Sequence, residues 1–297
     1  MKNRLLIPLL LAVLFLLPFA GLAAAPPPST GQISPHLLAQ LEGGQPAPML
    51  VILNEQADLS AADRLAGKTA KGKFVYRALW QTAQTSQAPL RQWLNRQGIP
   101  YRSFYIVNAL LVEGDRSLAL ALAARPDVAR LEANPAIRNS LPSPVPQTGH
   151  APAAAVIESN LLYVNADDVW ALGFTGQGIV VGGQDTGYDW DHPALVAHYR
   201  GWDGAVAGHN YNWHDSIHAA NASCPADSPE PCDDFGHGTH TMGTAIGDDG
   251  AGNQIGMAPG ATWMGCRNMN GGDGTPASYL ERIANKQTEL SQQYLSS

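Results

Sequence analysis

Four prolines fall within the fifteen residues LPSPVPQTGHAPAAA (141–155), and no apolar repeat of period 3.6 or 2 runs through them. A stretch of this kind cannot continue a helix interior or a central strand. The chain is therefore expected to fold as separate units on either side of an exposed linker, 141–160, that is open to proteolysis. A length of 297 residues suits two domains.

On the N-terminal side, MLVILN (49–54) has the pattern of a buried strand. Residues 74–97 read as a helix with Ala78, Leu79, Ala83, Leu90 and Leu94 near one face. FYIVNALLVEG (104–114) then reads as a strand, RSLALALAARP (116–126) as a second helix and VARLEANPAI (128–137) as a last strand. That order predicts a small α+β, ferredoxin-like domain over 48–140, preceded by a Pro/Ser/Gly-rich linker over 26–47.

On the C-terminal side the pattern changes. NADDVWALG (165–173) predicts a short helix, with Asn165 as N-cap and Gly173 as its stop. GIVVGGQ (178–184) predicts a β-branched strand buried on both faces, and ATWMGCRNM (261–269) a second, with a Gly/Thr-rich helix between them. Strands alternating with helices predict an α/β domain with a parallel sheet over 161–297. In such sheets, sites lie at the carboxyl ends of the strands.

Lys2 and Arg4 precede an uncharged apolar run, 5–20, followed by GLAAAPPP. This is the order of a secretory signal peptide, 1–25, cut among residues 23–25. Pro8 and Pro18 interrupt the run, so no stable membrane span is expected. The net charge of −7 and the lack of a Lys/Arg block argue against a nucleic-acid partner. Export also makes disulfides durable. Cys224 and Cys232 flank PADSPEP and are expected to pair locally, which leaves Cys266 over, as a thiol or with a partner elsewhere.

Two short stretches carry the chemistry. Asp185 ends the strand GIVVGGQ, and Gly187 turns the chain away at once. DTG alone suits an Asx-turn as well as a catalytic carboxylate. His237 opens a helix, GTHTMGTA, with almost no bulky side chains, and close packing against the sheet explains that composition. Packing of that kind would bring an imidazole to the carboxylate, the arrangement of a general base and its orienter. Zinc fits less well, because helical zinc motifs place histidines four apart around a Glu, whereas His237 and His240 are three apart around Gly and Thr. No metal is expected.

These stretches, TGQGIVVGGQDTGYDWDHPAL, GHGTHTMGTAIG and IGMAPGATWMGCRNM, resemble the subtilisin-like serine peptidases, and among them the bacillopeptidase F-like members. The resemblance covers about 162–276 and implies a secreted endopeptidase, acting on polypeptides, made as a zymogen whose N-terminal domain is an inhibitory, chaperoning propeptide held in cis. It implies Asp185 as the triad aspartate and His237 as the triad base, with His240 structural. Gly272, Asp273 and Gly274 in GGDGTP fall where the family has an edge strand that pairs with substrate. The resemblance also raises a structural calcium at GDDGAGNQIGMAP, but the carboxylate that members supply after the His-Pro pair is Ala194 here, and no cofactor is expected.

The sequence departs from the family in one large respect. The serine motif and the oxyanion-hole Asn do not follow, GTPAS (274–278) is too close to the histidine to be the serine, and the likeness fades over 278–297 although a helical pattern continues. A truncated or frameshifted peptidase, lacking its serine-bearing half, is the expectation. The alternative is a noncatalytic exported protein whose N-terminal domain inhibits or chaperones a peptidase.

Overall fold

The computed structural model describes residues 32–138 and 157–281. The signal peptide, the greater part of the 141–160 linker and the helical pattern after 281 lie outside the described residues. What is described is a mixed α/β structure.

Strand β1 (Ala47–Leu53) is the centre of an antiparallel sheet. It pairs with β3 (Ala109–Gly114) on one side and β4 (Val128–Ala133) on the other, and β2 (Tyr101–Phe104) adds to β3, giving the order β2-β3-β1-β4. Alternation of side chains along a strand divides the apolar residues between two faces. Met49, Val51, Leu110, Val112 and Leu131 point to one core, which α1 (Pro35–Leu41), α3 (Ala88–Gln97) and α4 (Arg116–Ala123) close with Leu37, Leu41, Leu90, Leu94 and Leu122. Leu50 and Ile52 point the other way and, with Phe104 and Ala109, enclose Ala277.

Three sequence expectations change here. The helix expected over 74–97 is two, α2 (Lys68–Ser86) and α3, because Pro89 in the first turn of α3 cannot continue α2. The strand expected over 104–114 is a hairpin of β2 and β3. Its turn holds no glycine or proline; a buried polar knot fixes it instead. Gln87, fully buried, donates to the Phe104 carbonyl and to Asn108 Oδ1, each at 2.8 Å. Asn108 Nδ2 in turn donates to the Glu55 carbonyl and to Ser86 Oγ, each at 2.6 Å. The third change is in the stretch read as a linker, 26–47: it contains α1, N-capped by Ser34, with Ile33, Leu37 and Leu41 buried in the core.

In the C-terminal part, β8 (Thr262–Arg267) lies between β6 (Val180–Gly182) and β7 (Trp213–Asp215), all parallel. The helices α5 (Ser159–Tyr163) and α6 (Ala166–Ala171) precede β6. Asn165 stands at the N-cap of α6, but in a left-handed conformation and without a side-chain cap, so the predicted capping bond does not form. The strand 178–184 was expected to be buried on both faces. Only 180–182 is strand, and Val180 is 43% exposed and Ile179 58%, since β6 is an edge of this sheet. The core instead gathers around Trp263 of β8, with Tyr188, Tyr199, Trp213, Met242 and Ile246. No described helix is long and apolar enough to cross a membrane.

The two parts meet along one line. Strand β5 (Ile137–Arg138), where the N-terminal part ends, pairs antiparallel with β10 (Asp273–Gly274), which pairs with β9 (Met269–Asn270). Helix 276–281 follows β10 and carries Ala277 under the sheet. At its end Glu281 accepts from Arg102 Nη1 at 2.6 Å, from His218 Nε2 at 2.8 Å and from His214 Nε2 at 3.3 Å.

His218 faces carboxylates with both ring nitrogens, Glu281 on Nε2 and Asp227 on Nδ1. Only the imidazolium can donate to both. Burial alone pushes its pKa down, but the hydrogen bonds to Glu281 and Asp227 outweigh burial and hold it above the ordinary histidine value of 6.5. Burial pushes Glu281 up, and its bonds to His214 and His218 outweigh that and hold it below the ordinary 4.5. The histidine contribution is complete below pH 6.5 and is lost as pH rises through the raised value; the glutamate contribution is complete above 4.5 and is lost as pH falls through the lowered one. Stability should therefore decline as pH rises above 6.5 and through the raised value. In His218→Gln that decline should flatten, as read by thermal melts across pH, and an unchanged slope would exclude the cluster as its source.

Candidate active site

The site begins where β6 ends. The chain continues along β8, with Gly183 N donating to the Met264 carbonyl at 3.0 Å and Asp185 N to the Cys266 carbonyl at 3.2 Å. Asn268 N, two residues beyond Cys266, donates to the Asp185 carbonyl at 3.0 Å. Both bonds run to the one neighbouring segment, so Asp185 pairs in parallel with Arg267 and its carboxylate projects at the carboxyl end of the sheet. Gly187 then turns the chain with φ of 116°, and a Cβ there would lie 1.8 Å from the Cys232 carbonyl oxygen. No other residue fits that turn.

Helix α7 (His237–Ile246) starts on Gly236, whose φ is 80°. Its small residues have a steric cause. A Cβ on Gly238 would lie 2.0 Å from the Gly187 carbonyl oxygen and 3.0 Å from Asp185 Cβ. With hydrogen there instead, the helix reaches the strand end, and His237 Nδ1 lies 2.7 Å from Asp185 Oδ1. The same oxygen accepts from Thr186 N at 2.8 Å, and Oδ2 accepts from Thr241 Oγ1 at 3.2 Å. The carboxylate is buried, while the imidazole is partly open, with 23% of its side chain exposed. Among the described residues His237 Nε2 has no hydrogen-bond partner. A carboxylate on Nδ1 selects the tautomer with its lone pair on Nε2 and stabilises the imidazolium once a proton arrives. The arrangement can therefore take a proton from a nucleophile placed at Nε2.

Gly272, Asp273 and Gly274 follow β9, beyond the residue of β8 that Asp185 bridges. Gly272 makes the turn with φ of 94°, and Asp273 and Gly274 form β10. A Cβ on Gly274 would lie 2.3 Å from the Tyr279 hydroxyl. Burial pushes that hydroxyl above the ordinary tyrosine pKa, and the Asp185 and Asp273 carboxylates add to the shift. Tyr279 thus packs on β10 and feels the Asp185 carboxylate.

The sequence reading missed Asp233, whose carboxylate binds groups on both sides of the pair, from Thr186 to Thr239. An acidic residue just ahead of a helix start was the available signal. His240, three residues along α7, lines a cavity of about 720 Å³ with His192, Ala194, Asp249 and Asn253 rather than the Asp185 contact. The described residues hold no group of three or more His, Cys, Asp or Glu placed to bind a metal. Cys224 and Cys232 form the expected disulfide, and Cys266 is buried in β8 with its Sγ 3.3 Å from Ser216 Oγ.

Residues 176–292 match the family model Peptidase_S8, described as the subtilase family, and Asp185, His237 and β10 all lie inside that range. Residues 176–292 belong to the subtilase family. Bacillopeptidase F of Bacillus subtilis (strain 168) is 31% identical over 276 residues, covering 84% of this chain and 19% of that protein. The minor extracellular protease Vpr of the same organism is 34% identical over 122 residues, 41% of this chain and 14% of that protein. The chain thus spans less than a fifth of the length of either relative. A mutant form of the epidermin leader peptide processing serine protease (EpiP) of Staphylococcus aureus superposes with a TM-score of 0.49 at 11% identity, over 76% of this chain and 44% of that one. Within the subtilase segment, the family likeness and the Asp185–His237 contact stand on separate grounds: one on sequence over 176–292, the other on a distance of 2.7 Å.

Proposed function

We propose that this protein is the precursor of a secreted serine-type endopeptidase acting on polypeptides, in which His237 is the general base and Asp185 its orienter. The observation that carries the reading is the 2.7 Å contact between His237 Nδ1 and Asp185 Oδ1 at the sheet end, inside a subtilase segment. A serine hydroxyl at His237 Nε2 would lose its proton to the imidazole as its oxygen attacks the peptide carbonyl, and the imidazolium would then give that proton to the leaving amine. We place that serine, and the oxyanion-hole donor, outside residues 1–297. The residues that carry the reading here need no metal or cofactor.

In the same reading, residues 48–140 are an inhibitory propeptide in cis, and Gly272, Asp273 and Gly274 are the strand that would pair with substrate. The sheet order β2-β3-β1-β4, with helices after β1 and β3, supports reading that unit as ferredoxin-like. The pairing of β5 with β10 supports the assignment, since it sets the unit's own outgoing strand along the edge that a substrate backbone would use. Signal-directed export over residues 1–25 is part of the proposal.

A serine-directed fluorophosphonate on the natural secreted product tests it. A product that contains the serine motif should label, and His237→Ala should abolish labelling; a 297-residue product should not label. Labelling that survives His237→Ala, or a folded product with the motif that never labels, would overturn the reading. The second reading, a noncatalytic protein whose N-terminal unit inhibits or chaperones a peptidase in trans, is favoured by the self-contained core of seventeen buried residues between Ile33 and Ala133. It predicts inhibition of a separate subtilase by the unlabelled product.

A further inference from the structure

We propose that the adjacent carboxylates of Asp233 and Asp234 are positioning residues with separate tasks: Asp233 sets His237 against Asp185, and Asp234 sets the turn that leads into β10. The inference rests on the proposed roles of Asp185, His237 and β10. Its starting point is Cys232, tied to Cys224 by the disulfide and holding Tyr188 N on its carbonyl at 3.0 Å. From this fixed point the next two side chains go in different directions.

Asp233 Oδ1 accepts from Thr186 Oγ1 at 2.8 Å, Gly236 N at 2.8 Å and Phe235 N at 3.1 Å. Its Oδ2 accepts from Thr239 N at 2.9 Å and Thr239 Oγ1 at 2.5 Å. Thr186 follows Asp185 in the chain, donates its own N–H to the Asp185 carboxylate, and accepts from Gly238 N through its hydroxyl at 3.1 Å. Gly236 and Gly238 flank His237. One carboxylate therefore satisfies amides at the start of α7 that the helix itself cannot, and ties them to the residue beside Asp185.

Asp234 turns to the other half of the site. Its Oδ1 accepts from Gly271 N at 3.0 Å, and its Oδ2 accepts from Arg267 Nε at 3.0 Å, lies 2.9 Å from Arg267 Nη2, and accepts from Asn221 Nδ2 at 2.7 Å. Gly271 begins the turn between β9 and β10. Arg267 is fully buried and reaches Asp215 Oδ2 with Nη1 at 3.1 Å. No side chain or amide that binds the Asp233 carboxylate also binds the Asp234 carboxylate, so removing one carboxylate takes no partner from the other.

The test uses the full chain with labelled histidine and two readouts: the NMR signal of the His237 Nδ1 proton, and amide exchange at residues 273–274. Asp233→Ala should weaken or remove the Nδ1 signal and leave exchange at 273–274 within about 2-fold. Asp234→Asn leaves Arg267 balanced by Asp215, so it should fold. It should speed exchange at 273–274 by more than about 10-fold while the Nδ1 signal stays. Thr186→Val, which removes the hydroxyl that joins Asp233 to the Asp185 side and accepts from Gly238 N, should repeat the Asp233→Ala pattern even if that variant does not fold. If Asp234→Asn removes the Nδ1 signal as well, or if both Asp233→Ala and Thr186→Val leave it unchanged, the division of tasks is wrong. Asp185→Asn must abolish the signal; its survival there would remove the Asp185–His237 reading itself.

Discussion

Arg267→Ala should lower unfolding stability by about 3–5 kcal/mol, the range found when one partner of a buried ion pair is removed. Arg267 has no exposed side-chain surface, and the Asp215 and Asp234 side chains that hold it are 1% and 2% exposed. Deleting the guanidinium leaves both carboxylates in a poorly solvated place, each still held by backbone amides. Arg267→Lys keeps the charge but not the fork that spans two carboxylates, and should fall between wild type and alanine. Urea unfolding followed through Trp213 and Trp263, which lie in the same core, reads the effect. A loss under about 1 kcal/mol would mean that the network is solvated and holds little.

Gly238→Ala and Gly243→Ala should have opposite signs although both lie in α7. Alanine is the better helix former by about 1 kcal/mol, and propensity alone would favour both changes. At Gly243 nothing lies within 4 Å of the added Cβ, so the gain should be kept. At Gly238 the Cβ would meet the Gly187 carbonyl oxygen at 2.0 Å, and this neighbour is backbone that cannot swing aside. Overpacking of that kind costs about 1–3 kcal/mol, which exceeds the propensity gain. The helix must back away from the strand end, so the 2.7 Å contact of His237 with Asp185 should open and the Nδ1 proton signal should be lost. If both variants stabilise the protein, the close approach does not explain the small helix.

The comparison of sequence with structure turns on which forces are local. The start of α7, the placement of Asp185 and the local disulfide were legible because glycine, histidine and cysteine at fixed spacing have few structural uses. Leu79, Ala83, Leu90 and Leu94 were legible as buried because a helical period records burial directly. The β2–β3 hairpin was hidden, since its turn is held by Gln87 and Asn108, polar residues whose partners lie 17 to 53 positions away. The exposure of β6 was hidden for a different reason: a β-branched run reads as buried whether or not a neighbour covers it. Helix α1 could have been found, as Ser34 and Pro35 mark a helix start, but the surrounding Pro/Ser/Gly composition outweighed them. Asp233 and Asp234 look like two more acidic residues in an acidic loop until their separate partners are seen.

The antiparallel pairing of β5 with β10 has a kinetic meaning. Any other extended segment that reaches β10 must displace a strand belonging to the same molecule. A tethered competitor acts at an effective concentration on the order of millimolar, independent of how dilute the protein is. Dilution alone therefore cannot clear this edge, whereas one backbone cut between residues 138 and 157 turns the competitor into a separate molecule that dilution can remove.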